Sequence, residues 1–383
     1  MTSELSSNQS DRTGLSETGR PPPTTYTVDV SDRAEDPDWD AFLAATPHGD
    51  HVQTSIWGQV KSCLGWHASR VVVRDGARIV GGAQLLVRES RFKGRIAYVP
   101  KGPVFARDEP DLVNLTTDTL CRIAAQESIR ILFVQPARDS RQLMPRLADL
   151  GFLPAPIETA PAATVLVDLS SPLDAILARM AKDKRVGIRQ SQRRGITVRE
   201  GSLDDMSTFY QLLIDTSKRR AFPAFAPDYF MYMWRTLDPH GQIKMFLGEY
   251  EGEPVCAQLV APFGDVVVAK QIGWSGQYGK RRPIEALDWE TIRWAKSHGY
   301  AWYDLGGIEL EAGRAVLAGD PLPRSLTKTP TAYKLRLGGK VDLSPEALCY
   351  LANPVLRAAY KYAGYKIANS TLVQAAADRF RAG

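Results

Sequence analysis

Histidine is scarce in this chain of 383 residues: there are five, none paired with another in sequence. A histidine-based nucleophilic triad is therefore disfavoured, and each histidine is taken as a surface or packing residue. The four cysteines, Cys63, Cys121, Cys256 and Cys349, lie far apart, with no C-x-x-C and no metal-ligand spacing to a histidine. They are expected to be core thiols in a reducing compartment, and no metal site is expected. There is no Walker phosphate loop and no G-x-S-x-G elbow. No apolar run approaches the roughly 18 residues of a membrane span. The polar, Ser/Thr-rich start lacks a charged stretch followed by an apolar core, so no signal peptide is expected. These absences together predict a cytoplasmic protein.

What is present is enough apolar material for two cores, with 44% hydrophobic residues and domains usually running about 100 to 200 residues. The net charge of +5 is modest and hints at an anionic partner without identifying one. Met1 to about Thr25, closing in "GRPPPTT", has too little apolar surface to offset ordering and is expected to be a disordered tail. From Tyr26 onward strand-like and helix-like segments alternate, which predicts an α/β layered fold. "ASRVVVRDGARIVGGAQLLV" is strand, Asp-Gly turn, strand; "DLVNLTTDTLCRIAAQE" is helical; "IRILFVQP" is a buried strand. The order returns in "IKMFLGEYEGEPVCAQLVAPFGDVVVAKQIGW", "PIEALDWETIRWAKSHG" and "YAWYDLGGI", with Ala83-Gln84-Leu85 matched by Ala257-Gln258-Leu259. This is a divergent internal repeat.

Between the halves, "SSPLDAILARMAKDKRVGIRQSQRRG" is expected to be one helix, with Ser171 as N-cap, Pro172 at the first position, Asp174 completing a capping box and Gly195 ending it. Leu173, Ile176, Leu177, Met180 and Ile188 form an apolar stripe. Lys182, Arg185, Arg189 and Arg193 form a cationic rail on another face, suited to a nucleic-acid phosphate backbone or simply to solvent. Clusters at Lys218–Arg220 and Lys280–Arg282 could extend it.

A meander followed by a helix and a strand resembles the acyl-CoA N-acyltransferase (GNAT) fold, in which a Gly-rich loop at a helix N-terminus binds the cofactor pyrophosphate. Here that place has the sequence "GQYGKRRPIEALDWE", where proline removes a donor and the glycines lack the required spacing. A standard acyl-CoA site is therefore not expected in the second half. In order along the chain, "QTSIWGQVKSCLGW", "YVPKGPVF", "KDKRVGIRQSQRRGI", "SKRRAFPAFAPDYF", "YDLGGI" and "YKLRLGGK" together resemble the Fem family of peptidoglycan-bridge aminoacyltransferases, in its compact type without a helical arm. The resemblance implies α/β (α+β) architecture with two tandem GNAT-like domains: 26–168, onto which 342–383 packs back, and 169–341.

It also implies transfer of an amino acid, glycine by family analogy, from aminoacyl-tRNA to an amine of a lipid-linked or UDP-linked muramyl peptide. No cofactor is then needed, aminoacyl-tRNA being a co-substrate, and the protein would work in the cytoplasm, at the inner membrane face where the acceptor is lipid-linked. By position, Lys61 corresponds to a lysine that contacts the acceptor phosphates, Tyr229 to a tyrosine of that pocket, and Tyr333-Lys334 to an aromatic-lysine pair at the acyl-transfer point. Lys182, Arg185, Arg189 and Arg193 would hold the tRNA. Three positions depart from the family: Phe225 replaces a phosphate-gripping arginine, Ile272 a second tyrosine, leaving Trp274 as the nearby aromatic, and Gln135 an acidic residue. A small peptide metabolite as acceptor, an acyl-CoA donor and a non-catalytic RNA-binding or membrane-surface scaffold remain alternatives. The glycine pair Gly338-Gly339 is expected to turn the chain back to the first domain.

Overall fold

The computed structural model describes residues 26–90, 94–137 and 140–368; the expected tail, Met1–Thr25, lies outside them, as does the end of the chain beyond Ala368. The first half contributes β1 (Tyr26–Ser31), α1 (Pro37–Ala45), α2 (Ser55–Ser62), β2 (His67–Asp75), β3 (Arg78–Ser90), β4 (Gly94–Pro100), β5 (Val104–Phe105), α3 (Pro110–Gln126), β6 (Ile129–Gln135), α4 (Leu143–Asp149) and β7 (Leu153–Pro154). Next come β8 (Ala163–Asp168), α5 (Leu173–Arg179), α6 (Lys182–Arg193), β9 (Ile196–Gly201), α7 (Met206–Arg220), α8 (Pro227–Leu237), β10 (Lys244–Tyr250), β11 (Glu253–Phe263) and β12 (Val266–Trp274). The chain continues through α9 (Pro283–Ser297), β13 (Trp302–Gly307), α10 (Leu310–Ala318), α11 (Pro330–Leu335), β14 (Lys340–Leu343), β15 (Leu348–Leu351) and α12 (Pro354–Ala368). Among the described residues no helix is long and apolar enough to cross a membrane.

Two mixed sheets result, ordered β1-β2-β3-β4-β6-β15-β7 and β14-β8-β13-β12-β11-β10-β9. The repeat seen in the sequence is a repeat of topology. In the first sheet the meander β2-β3-β4 is followed by α3 and by β6, parallel to β4; in the second, β10-β11-β12 is followed by α9 and by β13, parallel to β12. Apolar periodicity dictates both layers. Leu112, Val113, Leu120, Ile123 and Ala124 turn one face of α3 onto Val71, Val73, Leu85 and Leu132. Ala286, Leu287, Trp289, Ile292 and Ala295 do the same for α9 over Val260, Val267 and Tyr303. Strands buried on both faces, such as Val71-Val72-Val73, therefore show apolar runs instead of alternation.

The second sheet is the consecutive run β8–β14, and one later strand returns to the first. β8, which the sequence places in the first unit, lies in the second sheet between β13 and β14, while β15 crosses back to lie between β6 and β7. The turn at Gly338-Gly339 does not make that crossing: it leads into β14, which stays in the second sheet, and the chain crosses between Leu343 and Leu348. Gly338 is required for another reason. Its φ is +78°, and a β-carbon there would stand 2.7 Å from the Arg179 carbonyl carbon.

Candidate functional site

The parallel pairs of the two units differ. β4 stays paired with β6 from Arg95 to Pro100, whereas β12 pairs with β13 only from Val266 to Val268. Beyond Val268 the strands of the second unit part, opening a crevice at their carboxyl ends, the usual ligand position in such sheets. Lys334, on α11, reaches into it. Its Nζ donates to the Gly307 carbonyl at 2.7 Å, and a β-carbon at Gly306 would lie 3.5 Å from that Nζ and 3.0 Å from the Ala269 carbonyl. Gly306, with φ +77°, suits the left-handed backbone and the close Ala269 carbonyl, and the ammonium lies in ordinary contact beside it. Burial lowers the Lys334 pKa, and the carboxylates of Asp304, Asp288 and Glu309 oppose this.

Tyr333 points the other way, into the second core. Its hydroxyl donates to Asp288 Oδ2 at 2.7 Å, and burial pushes its pKa well above the ordinary value. Lys184 Nζ stands 3.6 Å over the Tyr333 ring and pairs with Glu285 Oε1 at 3.2 Å. Burial also lifts the Asp288 carboxyl to about 6, although the Tyr333 hydrogen bond works against it. Lys184, Glu285 and Asp288 are each less than a tenth exposed. Glu285 also takes a contact from Arg282 at 3.5 Å, so the first turn of α9, where the resemblance to acyltransferases would put a pyrophosphate, carries a buried carboxylate.

This network clamps α6 onto α11. The Ala181 amide donates to the Arg336 carbonyl at 2.9 Å, Arg336 pairs with Asp183 at 2.6 Å, and Lys184 covers Tyr333. From that anchored turn, α6 presents Lys182, Arg189 and Arg193 to solvent. Among the described residues none of the three has an ion-pair or hydrogen-bond partner, which leaves their charges available to an anion. At the far end of α6, Arg194 and Arg281 exchange backbone contacts, Arg194 with the Lys280 carbonyl and Arg281 with the Arg194 carbonyl, so the cluster at 280–282 prolongs the basic surface.

A second group lies in the cleft between the units. Trp57 and Lys61 come from α2, Tyr229 from α8 and Phe225 from the segment before it. Lys61 Nζ is 5.5 Å from the Trp57 ring, 5.6 Å from Phe225 and 5.7 Å from Tyr229, a three-sided aromatic box for a cation. Phe225 and Tyr229 pack at 4.3 Å between centroids. Burial, with repulsion from Lys270, brings the Lys61 pKa down to about 8, and among the described residues no carboxylate pairs with it. Lys270 also stands over Trp57, at 4.5 Å, with its Nζ 3.0 Å from His51 Nε2.

The FemAB family profile matches residues 34–146, and an acetyltransferase (GNAT) domain profile matches residues 178–314. The lipid II:glycine glycyltransferase of Staphylococcus saprophyticus is 26% identical over 245 residues, 61% of this chain and 58% of that protein. Its counterpart in Staphylococcus aureus strain MRSA252 is 25% identical over 219 residues, 54% of this chain and 52% of that protein. Residues 34–146 are thus similar to the FemAB family. It spans about half the length of the curated relatives it matches. A solved structure described as FemX superposes with a TM-score of 0.75 at 19% identity, covering 85% of this chain and 97% of that one. The fold is therefore a Fem-type tandem of GNAT-like units.

Within this Fem-family fold the residues singled out in the sequence fall into three places. Lys61 and Tyr229 meet in the interdomain cleft, Lys334 occupies the strand gap, and Lys182, Arg189 and Arg193 line α6. Trp274 joins neither Lys61 nor Tyr229: its indole packs under Arg219 at 5.0 Å and its Nε1 donates to Gln277. Tyr333 does not wall the Lys334 ammonium but anchors the helix that carries it. Arg185 is partly withdrawn from the rail, because its guanidinium caps the Ala178 and Met180 carbonyls. The single helix expected over 171–195 is two, broken at the extended residues Met180 and Ala181. α5 begins after Pro172 without a side-chain cap; Ser171 accepts from Arg179 instead.

Of the family departures, Phe225 contributes an aromatic face to Lys61, Ile272 packs into the second core, and Gln135 accepts from the Thr159 and Ala160 amides, fixing the segment between the units. All four cysteines are free, but Cys63 is exposed, not in a core. Sequence reasoning missed Lys184, Glu285, Asp288, His51 and Lys270. Glu285 and Asp288, three residues apart on the apolar side of α9, were the one visible signal.

Proposed function

We propose that this chain is an aminoacyltransferase. It moves an amino acid, glycine in the first instance, from aminoacyl-tRNA to an amine of a muramyl-peptide peptidoglycan precursor during interpeptide bridge formation. The observation that carries this reading is the anchoring of α6 to α11. Unpaired cations suited to an RNA acceptor stem lead directly to a half-buried lysine in the strand gap. Aminolysis of an ester is downhill, so the protein's task is to bring donor and acceptor together and to stabilise the tetrahedral oxyanion, for which the Lys334 ammonium is placed. The aromatic box around Lys61 suits a cation held for the acceptor's phosphates, Lys being a compact point charge for such groups. The relatives' activity toward lipid II supports a lipid-linked acceptor and work at the inner membrane face. An acyl-CoA donor is disfavoured by the carboxylate of Glu285 at the first turn of α9.

The test is incubation with separately charged glycyl-, alanyl- and seryl-tRNA and with lipid-linked or UDP-linked muramyl pentapeptide, followed by product mass. We expect a mass increment of one or more amino acids that disappears with ribonuclease. Lys334→Met is expected to lose about 100-fold or more in kcat, with its melting temperature and tRNA binding retained. Ribonuclease-resistant transfer, or near-normal turnover by that variant, would overturn the reading.

A further inference from the structure

The cleft between the units contains a polar chain that the transfer reading leaves without a role. Asp50 Oδ1 lies 2.8 Å from His51 Nδ1, and His51 Nε2 lies 3.0 Å from Lys270 Nζ. A carboxylate beside Nδ1 fixes the ring proton there, which leaves the Nε2 lone pair facing Lys270. Asp50 and His51 come from the first unit and Lys270 from the second. Lys270 is also the extra residue of a bulge: Leu259 pairs with Gln271 and Val260 with Ala269. Bulges re-aim a side chain, and here the side chain stands over Trp57, partly exposed in the cleft. Ala269, the residue before it, borders the gap that Lys334 enters. Lys334 and Lys270 thus flank one short stretch of β12, Lys334 in the strand gap and Lys270 on the cleft side, where Lys61 also lies.

The reaction needs a proton acceptor, because an acceptor amine arrives as an ammonium and cannot attack until it loses a proton. We propose that Lys270, held by His51 and Asp50, is the general base that takes this proton. This assignment rests on the aminoacyl-transfer reading. In the step, the Lys270 Nζ lone pair takes one proton from the acceptor ammonium and the freed amine attacks the ester carbonyl, forming the C–N bond. Collapse breaks the C–O bond to the tRNA ribose, and the leaving oxygen takes the second amine proton. Lys270 keeps the one net proton and releases it to water in the cleft.

The surroundings favour a free amine. Burial lowers the Lys270 pKa, with Asp50 and Asp304 opposing it. His51 stays neutral because burial and Lys270 lower its pKa against the pull of Asp50. Among the described residues no carboxylate lies within ion-pair distance of Lys270. Asp50 from the turn after α1 and Asp304 from β13 act on it, and the neighbouring titratable groups His51 and Lys61, from α2, feel its charge in turn.

The test compares wild type, Lys270→Arg and Asp50→Asn in the charged-tRNA assay, reading kcat, KM and the pH profile, with melting as a folding control. Arginine keeps a group to stack on Trp57 but stays protonated. We expect Lys270→Arg to lose about 100-fold or more in kcat with little change in either KM, and to lose the acidic limb of its pH profile. Lys270→Gln, expected to behave alike, serves if the guanidinium disturbs folding. Asp50→Asn withdraws an anion that raises the Lys270 pKa, so its acidic limb should move to lower pH. Turnover of Lys270→Arg within about threefold of wild type, with the limb intact, overturns the assignment. A wild type inactive with every charged tRNA sinks the transfer reading and the base with it, whereas an active wild type beside an active Lys270→Arg sinks the base alone.

Discussion

Asp288 ties the buried network to pH. Its carboxyl has neither solvent nor a full ion pair, and burial lifts it from the ordinary 3.8 to about 6. The folded chain therefore keeps this proton to higher pH than the unfolded chain does. The stability it contributes is present below about pH 4 and is lost as pH rises through about 6. An asparagine side chain at this position would accept the Tyr333 hydrogen bond and stay neutral throughout. Asp288→Asn should accordingly gain on the order of 2 kcal/mol relative to wild type between pH 4 and pH 7. Denaturant melts of both proteins across that range measure it, and a pH-independent difference would show that Asp288 does not titrate there. None of this was legible residue by residue. Lys184 is one cation in a run of cations, and only the packing of α6 on α9 separates it from its exposed neighbours. Lys334, proposed here as the acyl-transfer lysine, was legible only through the family resemblance, because nothing in "TAYKLRLGGK" itself says which cation faces a gap.

At the scale of elements, periodicity carried far. The meanders, α3, α9 and the buried strands β6 and β13 follow directly from apolar spacing and turn residues. The break between α5 and α6 does not, because it is made by distant groups: the Arg336 carbonyl takes the Ala181 amide, and Gly338 packs against Arg179. Tertiary contacts override local propensity there. The break matters because it aims α6 separately from α5 and sets its first turn on α11. Replacing Lys182, Arg189 and Arg193 together with glutamine should raise the KM for charged tRNA about tenfold or more and reduce its salt dependence by about two to three phosphate contacts. Arg185 is left in place because it caps α5. An unchanged KM with an unchanged salt slope would make α6 ordinary surface.

At the scale of the whole molecule, the second sheet is the run β8–β14 and the chain then returns to the first through β15, which no local pattern announces. β8 follows β7 along the chain yet pairs with β13 and β14, and β15 follows β14 yet pairs with β6 and β7. A boundary drawn at residue 168 by sequence order misses this, since strand pairing is decided by long-range packing and not by neighbouring residues. The returning strand couples the units. The first sheet is completed by a strand from beyond the second, and the cleft that holds Lys61, Lys270 and His51 lies between the two. A chain ending at Leu343 would keep the second sheet whole but strip β15 from β6, exposing a strand edge and the core face that buried Cys349 covers. We expect the full chain to melt in one transition and the shortened chain in two, the first unit unfolding several degrees earlier. The earlier step should be accompanied by aggregation through the bare β6 edge. Calorimetry of both proteins decides it, because a single transition at the original temperature in the shortened chain would mean that the returning strand does not hold the first unit together.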